Sequence, residues 1–340
     1  MKINTSYLPD DSFPEKTDEY FINGILAGNR YILSEAITLV ESTQQDKRTR
    51  AIKILKAIRG LEPRSMRIAI TGSPGAGKST FLDTFGTMLT GLGHKVAVLA
   101  IDPSSQLSRG SILGDKTRME KLSRDPLAFI RPTAAGQILG GIASGTKEVI
   151  DLCEAAGYEI IFVETVGVGQ SETDIAHLTD LFCLLILPGA GDDIQGIKRG
   201  ITEMADLVLI NKSDGDRIML AKETAKYFTM GLKLLHGRPS GIQTKVLTCS
   251  ALTGSGLDKI WKEIRQTFEI MWENGWYLAH RQEQELLWFD RMHRQMILHH
   301  FLQKHSAFSY IENLRSDVIN KKIPIYEALS QLIDSIKQLG

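Results

Sequence analysis

From Lys16 to Arg59, apolar residues recur at three- and four-residue steps. Ile22, Ile25 and Leu26, then Ile32, Leu33, Ala36, Ile37 and Val40, mark the buried faces of two helices, punctuated by Gly24, Gly28 and Asn29. Ala51, Ile54, Leu55 and Ile58 predict a third, stopped by Gly60 and Pro63. The period then changes. Short runs rich in Val, Ile and Leu with little alternation stand at Met66–Thr71, Lys95–Asp102, Ala128–Pro132, Glu159–Thr165, Leu181–Pro188, Asp206–Ile210 and Lys245–Leu252. Such runs suit strands buried on both faces. Helix-length segments at 79–91, 136–156 and 216–233 separate them. The alternation predicts an α/β fold, a doubly wound and mainly parallel sheet wrapped by helices. From Leu257 onward no strand pattern appears. Leu286, Leu287, Phe289, Met292, Met296, Ile297 and Phe301 stripe a helix over 282–303, and a last amphipathic helix runs from Ile323 to Leu339 around Pro324. The expected organisation is a helical N-terminal module over 1–62, an α/β domain over 63–265 and a helical arm over 266–340.

Composition narrows the function classes. In 340 residues, 43% are hydrophobic and 24% charged, which rules out wholesale disorder. Lys plus Arg is 40 and Asp plus Glu is 40, so the basic excess of a duplex-nucleic-acid binder is missing. No apolar run reaches the roughly 18 residues that a membrane span needs, and the N-terminus lacks the apolar core of a secretory signal. Cys153, Cys183 and Cys249 are odd in number and widely spaced, without a Cys-x-x-Cys. They read as reduced, buried thiols. The expectation is a soluble cytoplasmic protein that binds neither nucleic acid nor membrane.

The chemistry sits at strand ends. Gly72-Ser73-Pro74-Gly75-Ala76-Gly77-Lys78-Ser79, followed by Thr80, matches G-x-x-x-x-G-K-[ST] between a predicted strand and helix. Glycines let backbone N–H groups point at phosphate oxygens, and the helix N-terminus adds partial positive charge. Lys78 supplies a point charge for the β and γ phosphates, and the Ser79 hydroxyl is a hard ligand for Mg2+. Asn211-Lys212-Ser213-Asp214 follows a later strand. A carboxylate such as Asp214 accepts both Watson–Crick N–H groups of guanine, where adenine offers an unprotonated ring nitrogen. Ser250-Ala251-Leu252 would meet the guanine carbonyl through backbone N–H. Glu164, ending the strand before Thr165-Val166-Gly167, can hold Mg2+ through water, and the Gly167 N–H can meet the γ phosphate. Asp102 is a further carboxylate on the same edge of the sheet.

The blocks GSPGAGKST, AIDPSS, GSILGDKTRM, IRP, LGG, ETVGVGQSE, LPGAGDDIQGIKRGI and NKSD resemble the MeaB/ArgK GTPases over nearly the whole chain. The resemblance implies a GTP-hydrolysing chaperone of an adenosylcobalamin-dependent methylmalonyl-CoA mutase or related acyl-CoA mutase, a homodimer joined through its C-terminal helices. It implies that Lys78, Ser79, Asp102, Asp115 and Glu164 form the phosphate and magnesium site. It also implies an extra switch loop, Gly189 to Lys198, that communicates with the mutase through Asp192, Gln195 and Lys198. Arg109 departs from the family pattern, standing where a Gly is usual in the first switch region.

No evident water-positioning residue directly follows Gly167, since Gln170 lies three positions on. Intrinsic GTP hydrolysis is therefore expected to be slow and to rise when a partner orders the switches. Two rivals are a kinase or ATPase of a periplasmic amino-acid transport system and a metal-insertion GTPase. The first needs a protein hydroxyl acceptor site that no motif supplies. The second needs a metal cluster, for which His293 and His300 are the nearest approach. Trp272, Trp276, Tyr277, Trp288 and Phe289 at the start of the arm are read as a self-association surface.

Overall fold

The computed structural model describes residues 16–42, 44–59, 65–102, 119–134, 143–165, 171–189, 199–233, 240–303 and 305–339. In chain order its helices and strands are α1 (Asp18–Leu26), α2 (Arg30–Val40), α3 (Gln45–Ile58), β1 (Met66–Gly72), α4 (Lys78–Gly91), β2 (Val96–Asp102), α5 (Glu120–Arg124), β3 (Ala128–Ala134), α6 (Ala143–Ala155), β4 (Ile160–Thr165), α7 (Ser171–Ala176), β5 (Leu181–Ile186), α8 (Arg199–Met204), β6 (Leu207–Ile210), α9 (Ile218–Leu232), β7 (Lys245–Thr248), α10 (Leu257–Glu273), α11 (Trp276–Gln303), α12 (His305–Ile319) and α13 (Ile325–Leu339). All seven apolar runs are strands of one parallel sheet, ordered β3-β2-β4-β1-β5-β6-β7. β4, β5 and β6 are buried along their whole length, as unalternating sequences require. β7, at the edge, is exposed at Lys245 and half-buried beyond it.

The order places β2, β3 and β4 on one side of β1 and β5, β6 and β7 on the other. Where strand order reverses in this way, the carboxyl ends around the central strand open a crevice for ligands. Register brings the named residues there: Ile70 of β1 pairs with Glu164 of β4, and Gly72 with Leu185 of β5. The core beneath is apolar and aromatic. Phe85 of α4 lies 5.1 Å from Phe81 and 5.8 Å from Phe162 of β4, ring centre to ring centre. α10 adds Leu257, Ile260, Trp261, Ile264, Phe268 and Met271, one face at helical spacing.

Several local expectations shift. Gly24 does not end a helix; it lies buried inside α1, where a Cβ would strike the Ile32 side chain of α2. The break falls at Asn29, whose Oδ1 accepts from the N–H groups of Tyr31 and Ile32 and caps α2. The helix expected over 136–156 is described from Ala143, and residues 135–142 lie outside the described residues. Cys249 falls just past β7 and, like Cys153 and Cys183, is a buried free thiol. α12 is a separate helix that the apolar pattern did not isolate. Trp272, Trp276 and Tyr277, expected at a self-association surface, pack within the chain against the α/β core.

The chain divides into two units, Met1–Gln284 and Glu285–Gly340. In the second, α12 and α13 pack on each other with Leu314 and Ala328 buried, while Leu286, Phe289, Met296, Ile297 and Tyr326 are exposed. In the first, a charge network closes the amino-terminal edge of the sheet. Arg67 of β1 donates Nε and Nη2 to Glu154 of α6, both at 2.7 Å. Arg281 of α11 donates Nη1 to the same carboxylate at 2.8 Å, and Nε and Nη2 to Asp180 at 2.8 and 2.7 Å. The Tyr277 hydroxyl and the Arg281 Nη2 both donate to the Ser65 carbonyl, at 2.8 and 3.1 Å. Two cations thus meet two anions with their hydrogen bonds made. Burial alone would raise the Glu154 carboxyl, but Arg67 and Arg281 hold it at about 2.

The N-terminal helices dock on α6 less neatly. Arg48 of α3 approaches Glu148 of α6 at 3.6 Å, and the second Glu148 oxygen is buried without a partner. Burial pushes the Glu148 carboxyl up to about 7 from an ordinary 4.5. The folded state therefore holds a proton that the unfolded chain has lost between those values, and stability falls as pH rises through that window.

Two outcomes are expected. Arg281→Ala leaves Asp180 and part of Glu154 uncompensated and should cost about 3 to 5 kcal/mol in urea unfolding. Glu148→Gln should leave stability near wild type at pH 4 and raise it by at least about 1 kcal/mol at pH 8, read as a difference between unfolding midpoints at the two pH values.

Candidate functional site

β1 ends at Gly72, where a Cβ would run into the Leu185 carbonyl oxygen of β5. Only glycine lets the chain leave the sheet this close to its neighbour. Gly77 caps α4 in the left-handed region, with φ 89°, and a Cβ there would sit 2.7 Å from the Asn211 Nδ2. Between them Ala76 is buried and its N–H donates to the Ser73 carbonyl at 3.1 Å, while Pro74 and Gly75 are exposed. The loop opens directly onto the N-terminus of α4, whose second and third residues are Ser79 and Thr80, the latter exposed.

Lys78 is buried and donates Nζ to the Gly72 carbonyl at 2.7 Å and the Ser73 carbonyl at 3.3 Å. Burial lowers its pKa, and the negative charges of Glu164 and Glu172 act against that. The Ser79 hydroxyl donates to Glu164 Oε1 at 3.1 Å, and Glu164 is itself buried. A hydroxyl and a carboxylate in contact, beside a phosphate loop, are the hard oxygen donors that Mg2+ selects. These residues fit the metal. Behind them the Thr165 hydroxyl donates to the Thr71 hydroxyl at 2.9 Å and ties β4 to β1. Asp102 closes β2 next to β4, in the strand register that pairs Ala100 with Glu164.

The Asn211-Lys212-Ser213-Asp214 loop leaves β6 on the same edge. Asn211 is buried and works in two directions: its Nδ2 donates to the Ala76 carbonyl at 2.8 Å, and its Oδ1 accepts from the Ala251 N–H at 2.9 Å. Lys212 has a positive φ of 56°, and the Ser213 N–H donates to the Cys249 carbonyl at 2.9 Å. Asp214 is half-buried, leaving its carboxylate access to a base. Ser250 and Ala251 are buried and Leu252 is 78% exposed, so this loop offers an apolar side chain to solvent at the site.

Lys78, Ser79, Glu164, Asn211, Ser250 and Ala251 are thus gathered at one edge of the sheet. Asp115, Gly167, Gln170, Asp192, Gln195, Lys198 and Arg109 lie outside the described residues. Two contributors escaped the sequence reading. The Thr84 hydroxyl on α4 donates to the Ala251 carbonyl at 2.7 Å, a link between distant segments that no spacing could signal. Glu172 stands within the block ETVGVGQSE without an assigned role there, and it is 1% exposed. Among the described residues no cluster of three or more His, Cys, Asp or Glu side chains could hold a metal. The cation of a nucleotide site takes its ligands chiefly from phosphate, hydroxyl and water instead. No described helix is long and apolar enough to cross a membrane.

Comparison with known proteins bears on the same residues. The family model described as methylmalonyl-CoA mutase-associated GTPase MeaB matches residues 33–306. The mouse (Mus musculus) protein named methylmalonic aciduria type A homolog, mitochondrial, is 44% identical, across 99% of this chain and 83% of its own. GTPase ArgK of Escherichia coli is 41% identical, across 93% of this chain and 96% of its own. A solved structure described as LAO/AO transport system kinase superposes with a TM-score of 0.75 at 35% identity, covering 95% of this chain and 98% of that one. These matches run along nearly the full chain, and the protein belongs to the MeaB family of GTPases.

Proposed function

We propose that this GTPase binds Mg2+ with GTP or GDP at the β1–β4–β6 edge and serves as the GTP-driven chaperone of an adenosylcobalamin-dependent methylmalonyl-CoA mutase, or a related acyl-CoA mutase, gating the loading of its cofactor. The observation that carries the nucleotide reading is the double hydrogen bond of Asn211, which joins the phosphate loop to the Ser250–Leu252 loop. Phosphate and base pockets are then built as one site. The mutase reading rests on the family and on what its members are named for.

Each residue has a distinct task. The loop amides and Lys78 hold the β and γ phosphates, for which Lys78 turns from the Gly72 and Ser73 carbonyls toward the ligand. Ser79 and Glu164, with Asp102, hold Mg2+, which when bound neutralises charge on the phosphates. Asp214 reads guanine, and the Gly167 N–H meets the γ phosphate. Asp115 joins the phosphate site from the first switch region, and Asp192, Gln195 and Lys198 report the nucleotide state to the mutase. Phosphoryl transfer depends on such positioning and charge neutralisation rather than on covalent help from the protein. The transport-kinase reading is not favoured, because a protein substrate would need an acceptor site for its hydroxyl beside these phosphates.

The C-terminal arm is the proposed homodimer contact. Its exposed Leu286, Phe289, Met296 and Ile297 supply apolar area of the kind that closed two-fold interfaces bury. Buried free thiols and the absence of a basic excess support a cytoplasmic setting without nucleic-acid or membrane partners.

Two measurements test the proposal. Asp214→Asn should weaken GTP binding by roughly ten- to a hundredfold, the worth of its charge-assisted hydrogen bonds, and should admit xanthosine triphosphate, whose carbonyl replaces the guanine amino group. Unchanged GTP affinity would place the base elsewhere. Single-turnover GTP hydrolysis should be slow for the protein alone and faster with the mutase. Equal, fast rates in both conditions would refute the gating role.

A further inference from the structure

Helix α7 follows the switch segment that leaves Glu164 and Thr165, and it packs against both β1 and β4. Its second residue, Glu172, is 1% exposed, and neither carboxylate oxygen has a hydrogen-bond partner. Among the described residues Glu35, Glu41 and Glu148 also bury an unpartnered oxygen, but each has a cation beside it: Lys16, Arg131 and Arg48 respectively. Glu172 has both oxygens buried and no ion pair among the described residues. A buried carboxylate with every lone pair unmet is a costly arrangement, and such groups in native proteins call for a ligand, an ion or water.

The surroundings say which. The negative charge of Glu172 reaches Lys78, the cation of the phosphate loop, as does that of Glu164. Glu164 already has the Ser79 hydroxyl as a donor, and Lys78 spends its protons on the Gly72 and Ser73 carbonyls. A polyphosphate entering this space brings only acceptors and negative charge, so it cannot satisfy Glu172 and is repelled by it. A hydrated divalent cation brings the opposite: positive charge, and coordinated waters whose protons point outward as donors. An acid at the start of a helix normally needs no more explanation than the helix dipole, but that role leaves the carboxylate in solvent, and this one is enclosed.

We infer that Glu172 is a positioning residue that accepts hydrogen bonds from water bound to the divalent cation of the nucleotide, and so makes nucleotide affinity depend on that cation. The inference rests on the magnesium–nucleotide reading of the site. With the cation present, Glu172 would accept hydrogen bonds from its water shell. Without it, Glu172 stands as an uncompensated negative charge against the incoming phosphates. Both effects act in the same direction, toward rejection of metal-free nucleotide.

The test is titration of the full chain with fluorescent GDP and GTP analogues, in Mg2+ and in EDTA. The readout is the ratio of the two dissociation constants for wild type, Glu172→Gln and Glu172→Ala. The Gln substitution removes a buried charge at nearly constant volume and should leave the thermal unfolding midpoint at or above that of wild type. In both variants the ratio of the EDTA to the Mg2+ dissociation constant should fall by about tenfold, the effect of one charge–charge interaction of this kind, with metal-free affinity rising. A ratio equal to wild type in both variants overturns the role of Glu172. Loss of the fold in the Gln variant also overturns it, since the charge would then be structural. A wild-type protein that binds guanine nucleotide equally well with and without Mg2+ would instead overturn the metal site itself, and the two failures are distinguishable.

Discussion

The Asn211 amide is the contact on which the site depends. One side chain, buried at the end of β6, holds the Ala76 carbonyl of the phosphate loop with its amino group and the Ala251 N–H of the following loop with its oxygen. Both partners are backbone groups with few other ways to be satisfied in a buried place, so losing the amide would leave both unmet. It also explains Gly77, since any Cβ there would press on Asn211 Nδ2. Thr84 makes a second tie, from α4 to the Ala251 carbonyl. The phosphate loop, α4 and the Ser250–Leu252 loop are therefore tied to one another by hydrogen bonds, a coupling that the proposed nucleotide site would use to let the γ phosphate bias switch loops rather than the pocket itself.

β1 carries this site at one end and the charge network at the other. Gly72 begins the phosphate loop, while Arg67, five positions earlier, lies in the buried cluster with Glu154, Asp180 and Arg281. Buried ion pairs contribute little net stability, because desolvation offsets their attraction, but removing one member is severe. What they add is direction. A fork-shaped guanidinium bonded to two carboxylates fixes where the first turns of α11 meet the sheet, and Tyr277 and Gln284 secure the same stretch through the Ser65 and Thr179 carbonyls. The first turns of α11, up to Gln284, are thus bonded to the sheet at several points.

Among the described residues, the buried Lys78 of the phosphate loop feels the negative charge of two buried carboxylates, Glu164 and Glu172. A polyphosphate alone worsens that balance and a metal-bound one mends it. If Glu172 has the role inferred for it, the same low-dielectric setting would make the pocket discriminate between metal-bound and metal-free ligand.

The sequence by itself determined the α/β class, all seven strands, the phosphate and base loops and the family. These rest on local signals: apolar runs for strands buried on both faces, glycines where the backbone approaches a neighbour, and motif residues adjacent in the chain. The tertiary structure alone decided what depends on contacts between distant segments. Gly24 looked like punctuation and is a packing contact, because only the crossing of α1 and α2 reveals Ile32 beside it. Tyr277 looked like part of an interface and is core, and Trp272 and Trp276 are half-buried against that core, contacts that only the packing of the long-range segments reveals. Arg67 and Arg281 lie 214 positions apart and share Glu154. Nothing in the sequence singles out Glu172, whose burial accompanies the packing of α7 on β1 and β4. Burial of a charge is a property of the whole fold, and no periodicity along the chain encodes it.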